Sequence, residues 1–133
     1  IRNQSKMRQT DTLMRLYNTW GDESLQKACL TVVELEFKDY DDYVKKYRGS
    51  GVLVDWFRVA WFFNGIGVLL QSGLVDVKLV DKLFGYIVIL MWEKLKPIIE
   101  GGKEREVAEP RALEWFEYLY NEIKKREQRG LKP

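Results

Sequence analysis

Histidine does not occur in this 133-residue chain, and cysteine occurs once, at Cys29. The first absence removes the commonest general base and the commonest transition-metal ligand. The second excludes a disulfide framework, because a lone thiol has no partner within the chain. Proline is scarce, at three residues. No stretch alternates apolar and polar residues between paired turn signals, so hairpins are not expected. Long apolar runs are missing as well. The richest, from Leu83 to Trp92, is half the roughly 20 residues a bilayer requires, and Val59 to Leu70 is interrupted by Asn64, Gly65 and Gly67. Both runs read as buried core helices, and no membrane-spanning helix is expected. Nor is there a large excess of either charge: 22 Lys+Arg stand against 20 Asp+Glu, for a net of +2.

What the chain does have is 46% hydrophobic and 14% aromatic residues, enough apolar content to exclude disorder and to build one core. A single domain over residues 1–133 is expected. Helical signals run throughout. Leu13, Leu16, Tyr17 and Trp20 are spaced for a first helix over about Gln9–Trp20, ended by Gly21. Asp22 is a cap for a second helix to about Phe37. The tyrosine-rich stretch Asp39–Gly51 reads either as a short helix or as an irregular crossover. Ser50 signals a third helix to about Ser72, stopped by Gly73. Asp76 caps a fourth to about Leu95, with Pro97 kinking or ending it. Gly101 and Gly102 then open a charged loop to Glu109, and Pro110 starts a last helix to about Gln128. The expected fold is all-α, a bundle-like domain of about five helices.

Chemistry is sparse in this pattern. Cys29 lies beside Ala28 and Leu30 on an apolar face, as a small buried hydrophobe. Ser5, Ser24, Ser50 and Ser72 sit near expected helix ends, where serine caps backbone groups. Asp39, Asp41 and Asp42 fail the spacing of a calcium loop, since Tyr43 and Val44 interrupt it. Glu114, Glu117 and Asn121 share one helical face, but bundle metal sites pair such carboxylates with histidine, so a solvated face is expected. Gly65-Ile66-Gly67 lies inside a helical run, not between a strand and a helix, and serves close helix approach rather than phosphate binding. Asn64, polar amid Trp61-Phe62-Phe63, needs a partner if buried, and a structural hydrogen bond to backbone or another helix is expected. The chain is expected to be non-enzymatic, without cofactor or metal.

The aromatic surplus points to contact instead. The helix face through Asp55 and Arg58 continues to Phe62 and Leu69. The face through Lys78, Asp81 and Gly85 continues to Ile89 and Trp92. Each opens polar and turns apolar, which nominates Phe62, Leu69, Ile89 and Trp92 as an interface for a protein partner or a second copy. The alternative is nucleic-acid binding through the basic ends. Arg2, Lys6, Arg8 and Arg15 outweigh Asp11, and Lys124, Lys125, Arg126, Arg129 and Lys132 outweigh Glu127. Residues 22–42 are acidic, with seven carboxylates against two lysines.

Several phrases occur together in a familiar order: Phe62-Phe63-Asn64-Gly65-Ile66-Gly67-Val68-Leu69-Leu70, Ser72-Gly73-Leu74-Val75-Asp76, Leu79-Val80, Leu83-Phe84-Gly85, Trp92 to Ile99, and Trp115-Phe116-Glu117-Tyr118-Leu119-Tyr120. They resemble an uncharacterised bacterial and archaeal family, domain of unknown function four-seven-six-zero, over about Leu53–Ile123. The resemblance implies a helical domain, preceded in many members by a membrane-spanning helix, and it carries no catalytic residue. Members often hold an acidic residue where Asn64 stands. The chain begins at Ile1 rather than Met, and an upstream segment is expected. The expected role is an accessory or interaction domain in the cytoplasm, tethered to a membrane only through such a segment.

Overall fold

A computed structural model describes residues 2–130, which form six α-helices and, among the described residues, no strand. They are α1 (Arg2–Trp20), α2 (Glu23–Glu34), α3 (Tyr40–Tyr47), α4 (Val52–Gln71), α5 (Val77–Glu104) and α6 (Glu114–Gln128). The fold is all-α, with one helix more than the approximate five because the Asp39–Gly51 stretch is helical. Asp39 Oδ1 accepts the N–H of Asp42, and Asp42 Oδ2 accepts the N–H of Lys38, both at 2.9 Å. This reciprocal capping starts α3. The backbone donor on Asp42 holds its carboxyl below the usual carboxylate range, assisted by Lys46.

Several boundaries depart from the sequence reading. α1 begins well before Gln9, although residues 3–8 are all exposed; apolar spacing marks where a helix packs, not how far it extends. α2 stops short of Phe37, because Leu35 turns extended and inserts into the core at 1% exposure. Ser50 marks the start of α4 from one residue further out: its hydroxyl donates to the carbonyl of Tyr47 at 2.6 Å and accepts the N–H of Val52 at 3.4 Å, while Gly51, at φ 91°, is the N-cap. At the other end the stop signal behaves as its residues suggest. Gly73 at φ 77° closes a Schellman turn, with Leu74 N–H on Leu69 C=O at 3.0 Å and Gly73 N–H on Leu70 C=O at 3.1 Å.

Pro97 does not end α5, which continues to Glu104. The hydrogen bond Pro97 cannot make belongs to the carbonyl of Glu93, and both residues are on the exposed side, where water can serve. On the inner side Leu95, Ile98 and Ile99 are buried and hold the helix together. Gly101 and Gly102 likewise lie inside the helix, not in a loop. A Cβ at Gly101 would come within 2.6 Å of Tyr40 Cγ, so glycine is what lets α3 lie against α5. Pro110 sits in a turn before α6, whose N-cap is Leu113 in the left-handed region at φ 60°.

α4 lies between α2 and α6 and shares its largest contacts with them. By length and composition it is the one described helix able to cross a membrane, at a mean hydropathy of 1.4, which the interrupted run Val59–Leu70 did not suggest. Here its inner face is packed in the core. Phe63 stacks on Phe116 with centroids 5.7 Å apart, and Phe116 meets Trp92 edge-on at 5.1 Å. Phe63 also contacts Trp20, which closes α1 onto the bundle.

Polar groups tie α5 to α6 around Asp81 and around Glu93. Asp81 and Arg126 pair at 3.1 Å with side chains 5% and 13% exposed. Asp81 has room because the residue one turn on is Gly85, where any Cβ would overlap its carboxylate. The second link is exposed: Tyr120 donates to Glu93 Oε2 at 2.6 Å, and burial together with that carboxylate pushes the phenol up to about 12. A raised folded-state pKa contributes stability that is full below the ordinary value near 10 and lost as pH climbs towards 12. Alkaline denaturation should therefore be steeper in the wild-type protein than in Tyr120→Phe over that interval, measured as unfolding midpoint against pH.

Candidate functional site

A concavity of about 680 Å³ lies between α3, the first half of α4, the last turns of α5 and the segment 105–113. Each wall follows from local sequence. Tyr40, Tyr43 and Tyr47, at i, i+3 and i+7, put three phenol rings on one side of α3. Gly101 admits Tyr40 against α5, and the Arg105 guanidinium covers that ring at 4.7 Å while pairing with Asp41 at 3.2 Å. Trp56 Nε1 donates to Tyr43 Oη at 2.8 Å. Burial pushes the Tyr43 phenol above its ordinary pKa, opposed by the Trp56 bond. Replacing Trp56 with Phe deletes that donor and thins the floor. We expect a loss of roughly 1–3 kcal/mol in denaturant unfolding, with the Tyr43 titration moved further upward.

The floor is buried and the rim is not. Tyr43, Trp56, Ile98, Ile99 and Leu113 are at most 9% exposed. Around the mouth Val54 is 61% exposed, Trp61 52% and Val107 70%, with Leu53 and Phe57 also open to solvent. Charge enters only at the lining residues Arg48, Lys103 and Glu109. Beyond the mouth the exposed face of α4 runs on through Gly65 to Val68, so groove and helix face form one apolar surface.

The residues nominated from sequence lie elsewhere. Phe62 is half-buried against Trp20, Phe63 and Phe84, with the Trp20 ring at 5.4 Å. Leu69 and Ile89 are half-buried against the core, and Trp92 is 3% exposed beneath Tyr120 and Phe116. The nomination anchors its first face at Asp55 and Arg58 near solvent, and Arg58 is exposed. Asp55 is partly buried and accepts the Thr31 hydroxyl at 2.9 Å, so the exposed face is rotated to Val54, Phe57, Trp61 and Val68. On α5 the polar opening is Lys78, Asp81 and Gly85; Lys78 is exposed, but Gly85 is buried and so is Asp81, in its pair with Arg126. The i, i+3, i+7 spacing of Val54, Phe57 and Trp61 was in the sequence. Nothing there separates it from the equally apolar Trp56, Val59 and Phe63 spacing that faces inward.

Asn64 is 8% exposed, and its Oδ1 accepts the N–H groups of both Trp115 and Phe116 at 3.1 Å. It thereby caps α6 from another helix, where Leu113 has no side chain to do so. Beside it, Gly67 lets the backbone of Trp115 lie directly on α4, whereas Gly65 faces open space. Cys29 is half-buried and its thiol is pushed up by burial. Ser5 is exposed within α1, Ser24 accepts from Arg58, and Ser72 is the C-cap of α4. Among the described residues no three His, Cys, Asp or Glu side chains cluster as metal ligands, and Glu114 pairs with Arg111 at 3.4 Å.

At the basic C-terminal end, Lys124 pairs with Glu93 and Glu127, Lys125 with Glu122, and Arg126 with Asp81. Lys132 lies outside the described residues, as does the side chain of Arg2. Lys6, Arg8 and Arg15 are exposed.

No curated protein and no solved structure matches the chain. The family model described as Domain of unknown function (DUF4760) matches residues 12–123, spanning the second half of α1 through most of α6 and all of the groove. The chain belongs to the DUF4760 family.

Proposed function

We propose that this chain is a non-enzymatic interaction domain that binds through the groove and the adjoining face of α4. One observation carries the reading: the aromatic and aliphatic side chains around the mouth are large, contiguous and exposed on a helix whose other side is core. Leaving that surface in water forgoes stabilisation of about 25 cal/mol per Å² of apolar area, and patches of this kind mark binding surfaces. The polar groups lining the groove are phenols, two cations and one carboxylate, which suit recognition and offer no activated nucleophile. The pairing of Lys124, Lys125 and Arg126 with carboxylates weighs against the nucleic-acid alternative, which keeps only the exposed Lys6, Arg8 and Arg15 of α1 in its favour.

Site-specific photo-crosslinking in the cell that makes the protein tests the reading. A photoreactive residue at position 54, 57 or 61 should give a discrete adduct, while positions 30 and 86, exposed on α2 and α5, should not. Equal labelling from every face, or none from α4, overturns it.

A further inference from the structure

We infer that the groove is a site for a single-chain anionic amphiphile of the fatty-acid class, its tail on the aromatic floor and its carboxylate met by Arg48 and Lys103. The inference rests on the groove being the binding surface proposed above. A volume of about 680 Å³ falls within the range of small-molecule sites, roughly 300–1,000 Å³. The floor asks for an apolar occupant. Ile98 and Ile99 present only hydrocarbon, and the Tyr43 oxygen already accepts from Trp56 Nε1, leaving its O–H as the polar group there. Against the two isoleucines a polar ligand group would be desolvated without a partner.

The lining charges fix the head. Arg48 stands at the C-cap of α3 and Lys103 in the last turn of α5, and among the described residues neither makes an ion pair. Arg105, the nearby third cation, is committed to Tyr40 and Asp41. The one lining carboxylate, Glu109, accepts the backbone N–H of Arg111 at 3.3 Å. That bond leaves the carboxylate its charge, so the lining carries two cations against one anion, a net of +1. Long Arg and Lys stems lie along hydrocarbon and keep their charge in water, which suits a carboxylate at the edge of an apolar slot. A cationic head would meet like charge.

Titration of the protein with dodecanoate below its micelle-forming concentration, followed by tryptophan fluorescence, tests this. Saturable one-to-one binding is expected. Two partly exposed ion pairs, each contributing a modest factor, should make the Arg48→Glu, Lys103→Glu double variant weaker by about tenfold for dodecanoate, while dodecanol binding changes less than about twofold. Circular dichroism of the double variant checks that its helices are intact, and both positions are on the surface. Absence of saturable binding to the wild-type protein overturns the inference. So does equal affinity for dodecyltrimethylammonium, or a double variant that binds dodecanoate unchanged. A protein adduct from α4 without dodecanoate binding overturns it too and leaves the interaction reading standing.

Discussion

Substituting Ala for Gly67 is expected to destabilise the protein by about 3 kcal/mol or more, while the same change two residues earlier, at Gly65, stabilises it by roughly 0.5–1 kcal/mol. The two glycines sit in one helix, so helix propensity favours alanine equally at both. Their surroundings decide the sign. At Gly65 an added Cβ meets nothing within 4 Å. At Gly67 it would overlap the carbonyl oxygen of Trp115 and lie 2.7 Å from the carbonyl carbon. Those atoms are backbone, in the first turn of α6, and cannot swing aside as a side-chain tip could. Relief requires α6 to move off α4, across the most extensive helix contact in the bundle. Denaturant unfolding of the two variants reads the difference directly. Equal shifts of either sign would mean that α6 does not seat on Gly67.

The second large effect is expected at Asn64. Replacing it with Ala should cost about 2–4 kcal/mol, because two N–H groups at the start of α6 lose their acceptor, each worth roughly 1–3 kcal/mol when left unpaired in a buried place. The Phe116 bond is buried and the Trp115 bond partly so, which sets the lower end of that range. Asn64→Asp keeps an acceptor at the same position and adds a negative charge at a helix N-terminus, a favourable placement. It should lose much less than Asn64→Ala. Hydrogen exchange separates the two explanations for any loss: removal of a cap accelerates exchange in the first turn of α6 before the core opens. Uniform acceleration throughout the chain would count against the capping role.

These residues also mark how far the sequence could be read. That Asn64 needed a polar partner followed from its place between Phe63 and Gly65, since an unpaired amide in a core is costly. Which group it would meet did not follow, because Trp115 and Phe116 are some fifty positions away and the cap is made across helices. The same limit explains the boundaries. Caps are local, so Asp22, Gly73 and Asp76 were legible from their own residues. The same local rules make Pro97 a kink or a stop and Gly101 and Gly102 a loop. There the packing of Ile98 and Ile99 beneath, and of Tyr40 against Gly101, outweighed them.

By itself, the sequence determined the all-α class, the family and about half of the helix starts and stops, because capping signals act over a few residues. It also located the aromatic surplus. Tertiary structure alone decided which aromatic face stays outside. A helix apolar nearly all round, as α4 is, has no polar stripe to fix its rotation. Its inward face was chosen by Gly67 and Asn64 seating α6, and by Asp55 taking the hydroxyl of Thr31. That choice turned Phe62 towards Trp20 and left Val54, Phe57 and Trp61 at the mouth of a groove that no single segment of the chain encodes.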